Sequence, residues 1–211
     1  MSEILVYTAV FGGRDVIKVP RQDGFDFRVV TDDVEVDRGI AVVTSLPVAN
    51  DPRRSARLVK LMPQMFFPSY RRWIWIDGQV VLREGVKGND LESIRGPLAT
   101  FRHRNRNCAY QEALACIIAK LDDEEVIRHQ VEGYQEEGFP QNQGLGETMV
   151  VVRDNTPEIR ALNSAWWAEV STKSVRDQIS FNYVAWKLKV PVEYMGRCTG
   201  TPWFRMGPHH S

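Results

Sequence analysis

The segment that most constrains the fold is Arg72-Trp73-Ile74-Trp75-Ile76, followed at once by Asp77-Gly78. Trp73 to Ile76 are continuously apolar, so a strand built from them has no face to give to water and belongs in the middle of a sheet covered on both sides. It ends on a carboxylate that so apolar a strand would not itself select. Around it lie further strand-like runs. Glu3 to Phe11 is rich in β-branched and aromatic residues and stops at Gly12-Gly13. Phe25 to Thr31 ends at Asp32-Asp33, and Gly39 to Val48 ends near Pro47 and the Asn50-Asp51-Pro52 turn. Thr148 to Arg153 is another. Helical stretches separate these runs, which predicts an α/β fold: a Rossmann-like, mostly parallel sheet with helices on both faces. At 211 residues, with no repeat or low-complexity linker, the chain reads as a single domain.

The helices carry their own punctuation. Asp51 is placed to cap a helix with Pro52 at its first position, running through Leu58, Leu61 and Met62 until Pro63 ends or kinks it. Leu114, Ile117, Ile118 and Leu121 fall at i, i+3, i+4 and i+7, an amphipathic stripe. Glu124 to Glu137 is polar and helical in composition, stopped by Gly138 and Pro140. Thr156-Pro157 opens a helix whose Ile159, Leu162, Trp166, Trp167 and Val170 follow a helical period. A further helix starts at Ser174 and carries Arg176-Asp177-Gln178 in its first turn, where the helix dipole favours an acid. From Gly196 to Ser211 there is no periodicity.

Charge and composition narrow the function classes. Lys plus Arg equals Asp plus Glu at 27 each, so no overall field draws the chain onto a polyanion, and nucleic acid is not an expected partner. The longest apolar stretches, such as Leu114 to Ala119, fall far short of the ~18–20 residues of a membrane span. No basic and apolar leader is visible at the N-terminus. Cys108, Cys116 and Cys198 form no CxxC pair and read as neither a zinc site nor a disulfide framework. These features together lead us to expect a cytoplasmic domain with no transmembrane segment.

Ligands of open α/β sheets sit outside the carboxyl ends of the strands, which gives the Gly12-Gly13 turn, Asp32-Asp33 and Asp77-Gly78-Gln79 one address. A carboxylate there could hold Mg²⁺ or Mn²⁺ and leave coordination positions for substrate phosphates. Asp-Gly is equally a hairpin signal, with Val80 to Leu82 as the returning strand, and the two readings are compatible. Gly12-Gly13 is neither a GxGxxG fingerprint nor a P-loop. Arg53, Arg57 and Lys60 share a helical face by i, i+4, i+7 spacing and could grip a diphosphate; for any one of them a solvated charged face is the plainer explanation. Arg102, His103, Arg104 and Arg106 form a second basic cluster. His209 and His210 could serve as ligands of a borderline metal. No GxSxG or HExxH hydrolase template is present.

Taken together, Val6-Tyr7-Thr8-Ala9-Val10-Phe11-Gly12-Gly13-Arg14-Asp15, Thr31-Asp32-Asp33, Ala56-Arg57-Leu58-Val59-Lys60-Leu61-Met62-Pro63, Trp75-Ile76-Asp77-Gly78 and Arg176-Asp177-Gln178-Ile179-Ser180-Phe181 resemble a known family. It is the glycosyltransferase-like family, once a domain of unknown function, that includes plant Golgi proteins of turgor regulation and seed mucilage. The resemblance runs from Ile4 to Lys189. It implies a GT-A type fold, with a nucleotide-binding half over about 1–85 and an acceptor half with the C-terminal tail over about 86–211. Similarity to the glycogenin-like retaining transferases implies a nucleotide-sugar donor, a uridine diphosphate sugar above all, with Mn²⁺ or Mg²⁺ as cofactor and a carbohydrate or glycoconjugate acceptor.

By position, the resemblance implies that Tyr7, Thr8, Gly12 and Gly13 lie beside the nucleotide and Asp32 or Asp33 near its base. Arg57 and Lys60 would face the ribose and diphosphate, with Gly78 close by. Asp77 would be the first carboxylate of an aspartate-x-aspartate metal motif, but its third position is Gln79, which offers a neutral oxygen and no second charge. His209 or His210 would complete the metal set. Asp177 would sit under the anomeric carbon with Gln178 bonding the donor sugar, although Asp177 also suits a helix-capping role. Trp166 or Trp167 could stack on acceptor sugars, the other being core. The plant relatives' N-terminal membrane anchor is not seen, so their Golgi location is not carried over. Two rival functions share these features: a non-catalytic nucleotide-sugar or glycan-binding module, and a sugar nucleotidyltransferase.

Overall fold

The computed structural model describes residues 3–13, 19–37, 39–197 and 200–207. A seven-stranded sheet has the order β3-β2-β1-β4-β7-β6-β8, formed by Ala41–Val43, Asp26–Thr31, Ile4–Val10, Arg72–Ile76, Gly146–Asp154, Leu98–Arg102 and Glu193–Tyr194 respectively. β1 runs parallel to β2 and β4, β2 to β3, and β6 to β8, while β7 is antiparallel to both β4 and β6. The carboxyl ends of β1, β2, β4 and β6 and the start of β7 therefore share one edge. β4 occupies the centre, every one of its residues buried, which is the consequence of having no polar face.

Alternation along β1 divides the core in two. Leu5, Tyr7, Ala9 and Phe11 face one layer with Trp73 and Trp75, and Ile4, Val6 and Val10 face the other with Ile74 and Ile76. The first layer is covered by α1 (Pro52–Leu61), α4 (Ala109–Ile118), α5 (Glu124–Glu136), α6 (Pro157–Thr172) and α7 (Asp177–Lys187). The second is covered by the short α3 (Gly88–Glu92) and a two-stranded ribbon, β5 (Val80–Leu82) paired antiparallel with β9 (Phe204–Met206). Helices thus lie on both faces but very unequally. The ribbon also corrects the hairpin reading: Val80 does follow a turn closed by Val80 N–H donating to the Asp77 carbonyl at 2.8 Å, yet β5 pairs with the tail rather than returning along β4.

Asp51 caps α1 as its sequence predicts, its Oδ1 accepting from Arg54 N–H at 2.8 Å with Pro52 in the first turn. Pro63 ends α1 and opens a four-residue helix, α2 (Pro63–Phe66). α7 begins later than expected, at Asp177, because Ser174 turns its hydroxyl to Asp122 instead, at 2.7 Å. Trp166 is core and Trp167 half-buried.

Two readings of the sequence are overturned. The strand expected over Gly39 to Val48 is only Ala41–Val43. In the Leu114 stripe, Leu114, Ile118 and Leu121 are 54%, 73% and 40% exposed. α4 buries Ala109, Glu112, Ala113 and Cys116 instead and packs against α7. Of these, the small Ala109, Ala113 and Cys116 form a second stripe at i, i+4 and i+7, and their size lets the two helices approach closely. Among the described residues no helix is long and apolar enough to cross a membrane.

Candidate active site

Lys60 is the hub of the strand-end edge. It sits in the last turn of α1 with its side chain 1% exposed, and its ammonium lies 2.6 Å from Asp177 Oδ2 and 3.5 Å from Asp77 Oδ1. The Trp75 ring lies beneath it, 5.6 Å from nitrogen to centroid, a cation–π arrangement. One turn earlier on the same helix face, Arg57 Nε stands 2.9 Å from Asp177 Oδ1. Thr148, early in β7, donates its hydroxyl to Asp177 Oδ2 at 2.8 Å and accepts from Lys60 at 3.3 Å. Asp77 Oδ1 accepts from Trp75 Nε1 at 2.6 Å. Elements far apart in sequence are thus locked into one set of two carboxylates and two cations.

Burial alone would push the Asp177 carboxyl up, but the charges of Arg57 and Lys60 and the bonds from Lys60 and Thr148 outweigh it and hold the group well below the usual carboxylate range. Asp177 is therefore ionised throughout the neutral range. Burial lowers the Arg57 pKa, and the Asp177 and Asp77 charges more than restore it.

The main chain of Lys60 is held as firmly as its side chain. Its carbonyl accepts from the Tyr7 hydroxyl at 2.8 Å and from Arg153 at 2.6 Å; Arg153 also donates to the Tyr7 hydroxyl and, at 2.7 Å, to Asn163 Oδ1. Tyr7 is consequently a correction to its expected place beside a nucleotide: the side chain is fully buried, on the helical face of β1, and burial pushes its pKa up. Thr8 points to the opposite layer, 5% exposed, and its hydroxyl is buried with no hydrogen-bond partner among the described residues.

Gly12 and Gly13 both take positive φ, +70° and +63°, the left-handed region where a side chain is strained. The Asp32 carboxylate accepts from Gly12 N–H at 3.1 and 3.2 Å, tying the ends of β1 and β2 together. Asp33 shapes its own turn, accepting from Glu35 N–H at 2.9 Å. Gly78 and Gln79 occupy the turn after Asp77, and the Gln79 carbonyl accepts from Gly207 N–H at 2.8 Å, so the end of β9 runs beside it. Gln178 is half-buried in the first turn of α7. Arg14, Asp15, His209 and His210 lie outside the described residues. In the second basic cluster, Arg106 pairs with buried Glu112 at 2.6 Å and donates its main-chain N–H to His103 Nδ1 at 2.9 Å.

Among the described residues no three His, Cys, Asp or Glu side chains come together as a closed metal site. The donors present are one strand-end carboxylate, Asp77, and the exposed amide of Gln79. Such a set fits a hard cation that keeps most positions for phosphate oxygens and water, the habit of Mg²⁺ and related ions.

Thr148 and Trp75 were not singled out by sequence reasoning as site residues. A threonine inside an apolar strand carries no signal of its own; only its position at the start of β7, on the shared edge, identifies it.

Comparisons with known proteins bear on this geometry. The family model described as TOD1/MUCI70, glycosyltransferase-like domain, matches residues 28–199. The curated Arabidopsis thaliana protein "Probable hexosyltransferase MUCI70" is 28% identical over 218 residues, covering 88% of this chain and 37% of that protein. The chain thus spans little more than a third of this relative. Among solved structures, a glycosyltransferase involved in the glycosylation of the major capsid of PBCV-1 aligns with a TM-score of 0.45 and 10% identity, over 92% of this chain and 81% of the other. With its family match extending over most of the sequence, the chain belongs to the TOD1/MUCI70 glycosyltransferase-like family.

Proposed function

We propose that this domain transfers a hexosyl group from a uridine diphosphate sugar to an acceptor hydroxyl with retention of configuration. The carrying observation is the buried, ionised Asp177, held by Arg57 and Lys60 beside Asp77 on the strand-end edge of a chain of this family. Breaking a glycosyl–phosphate bond leaves negative charge on the diphosphate and positive charge on the sugar. Arg57 and Lys60 are preorganised cations for the first, and the Asp177 carboxylate is a fixed anion for the second. Gln178, next to Asp177, bonds the donor sugar. Mn²⁺ or Mg²⁺ held by Asp77 and Gln79, with His209 or His210 as further ligand, would supply additional positive charge to the diphosphate. The two histidines follow Gly207, which is hydrogen-bonded to Gln79, by only two and three residues. The unpartnered Thr8 hydroxyl supports a nucleotide near the end of β1, since a buried polar group without a partner is costly and a ligand would relieve it.

A donor screen that detects released nucleoside diphosphate, run with and without Mn²⁺, tests the reading. Release of nucleoside diphosphate with transfer of the sugar is the expected result. Release of pyrophosphate from a nucleoside triphosphate and a sugar 1-phosphate, supplied in a parallel assay, would indicate nucleotidyl transfer instead, and donor binding without turnover a binding module. Equal rates and affinities with chelator and with Mn²⁺ would remove the metal.

A further inference from the structure

Asp77 is tied down at its main chain, which leaves rotation of the side chain as the freedom of its carboxylate. Its N–H donates to the Met149 carbonyl and its own carbonyl accepts from Val80 N–H, both at 2.8 Å. Trp75 removes the remaining freedom. The two residues stand two apart where β4 ends, so the pleat puts their side chains on one face. Trp75 Nε1 donates to Asp77 Oδ1 at 2.6 Å, a short, charge-assisted bond. Trp73, on the same face, gives its indole N–H to a main-chain oxygen instead, the Phe67 carbonyl at 2.9 Å. The Trp75 ring is 2% exposed and packs edge-on against Tyr7, with centroids 5.3 Å apart at 73°. Tyr7 is in turn held by Arg153 and by the Lys60 carbonyl. The core therefore sets the direction of the Trp75 N–H.

The two oxygens of Asp77 are thereby made unequal. Oδ1 faces the indole N–H and, at 3.5 Å, the Lys60 ammonium, so a cation approaching it meets positive charge. Oδ2 accepts no hydrogen bond among the described residues, and the side chain keeps 26% of its surface exposed. We infer that Trp75 is a positioning residue for the cation site: its N–H holds Asp77 Oδ1, so that a divalent cation meets Asp77 through Oδ2 alone. A one-oxygen grip suits Mg²⁺ and Mn²⁺, which keep most of their positions for phosphate oxygens and water. It suits Ca²⁺ less, because that ion takes more oxygens and readily grips a carboxylate by both. The inference deepens the glycosyl-transfer reading and rests on its metal.

Calorimetric titration of Mn²⁺ and of Ca²⁺ into the full chain saturated with uridine diphosphate tests it. The proteins compared are the parent and Trp75→Phe, which keeps an aromatic ring beside Lys60 and lacks the N–H. The parent should bind Mn²⁺ more tightly than Ca²⁺. Trp75→Phe should weaken Mn²⁺ by about tenfold or more, as loss of a hydrogen-bond partner of a metal-ligating group does, and Ca²⁺ by less, so the preference narrows. Uridine diphosphate affinity measured with chelator should be the same in both proteins. A second measurement needs only the parent and so does not depend on how the variant folds. In a ¹H–¹⁵N spectrum the Trp75 indole N–H should shift upfield when Mg²⁺ joins the uridine diphosphate complex, because a cation on Asp77 weakens the bond to Oδ1. Unchanged Mn²⁺ affinity in folded Trp75→Phe, an equal loss for both ions, or an unmoved indole signal at saturating Mg²⁺ would overturn the role of Trp75 and leave the metal in place. Parent affinity for uridine diphosphate that is equal with Mn²⁺ and with chelator would remove the metal, and this inference with it. No uridine diphosphate binding by the parent at all would strike the glycosyl-transfer reading itself and everything that rests on it.

Discussion

Two buried charge networks meet at Lys60, one through its backbone and one through its side chain. Beneath α1, Arg153 is sealed in the core and bonded to neutral oxygens, those of Tyr7, Asn163 and the Lys60 carbonyl. At the strand ends, the Lys60 ammonium is shared between the carboxylates of Asp177 and Asp77, and Arg57 completes the set. The first network has no anion and no opening, so its role is to fix the helix that carries the second. The second holds paired charges where strands end and ligands gather. Burial of a charge alone therefore does not mark a functional residue; what distinguishes the two networks is the kind of partner, neutral oxygens in one and carboxylates in the other.

The sharpest way to break the comparison is to empty each network in turn. Arg153→Leu strands Asn163 Oδ1 and leaves the Tyr7 hydroxyl and the Lys60 carbonyl only their bond to each other, and should cost about 3–5 kcal/mol of stability through the charge-assisted hydrogen bonds it removes. Denaturant unfolding checks it, and a loss no larger than that of an ordinary surface change would mean the network is not structural. Lys60→Met removes the shared cation, and turnover should fall by roughly 100–1000-fold, the size of one preorganised electrostatic contact; steady-state kinetics on the folded variant measures it.

Acidity separates the networks further. Asp177 has its pKa depressed by folding, so its contribution to stability is complete above the unfolded carboxylate value near ~4 and is lost as pH falls from there through the folded value. The stability gap between the parent and Asp177→Asn should be flat from about pH 5 to 8 and narrow below about pH 4; a gap that widened on acidification would contradict the pairing. Smaller still, Thr148→Val should cost about 1–2 kcal/mol through its two lost hydrogen bonds, to Asp177 and from Lys60. Ile118→Ser, on the exposed side of α4, should stay within about 0.5 kcal/mol, whereas a loss of core size would return the Leu114 stripe to the interior.

Local chemistry made much of this readable from the sequence. Arg72–Ile76 is the strand that its apolar run predicts, Asp51-Pro52 caps α1, and the i, i+4, i+7 spacing of Arg53, Arg57 and Lys60 correctly puts them on one face. What failed was tertiary. β6 follows Gly96-Pro97 and lacks the continuous bulky apolar run of β4, its Ala99 and Thr100 breaking the pattern, and β5 finds its partner only in the tail. The Leu114 stripe had the right period, but a competing stripe of small residues faced α7. Tyr7 lies in the right strand with its side chain on the other face from Thr8, a distinction set by the pleat rather than by the motif. The closure of Lys60, Asp177 and Thr148 joins α1, α7 and β7, and no local pattern contains it.

The most direct test of the account compares Asp177→Asn with the parent in two assays, sugar transfer from the donor that supports turnover and calorimetric binding of uridine diphosphate. Asparagine keeps the shape of aspartate but not its charge, and since Arg176 rather than Asp177 is the N-cap of α7, the capping role that the sequence also allowed is not at stake. The account predicts turnover lower by about 100–1000-fold, with uridine diphosphate affinity little changed because that ligand carries no reacting sugar. A variant that kept more than about a third of parental turnover, far above the loss of an electrostatic contact, would remove Asp177 from the chemistry and leave it a structural counter-ion of Arg57 and Lys60.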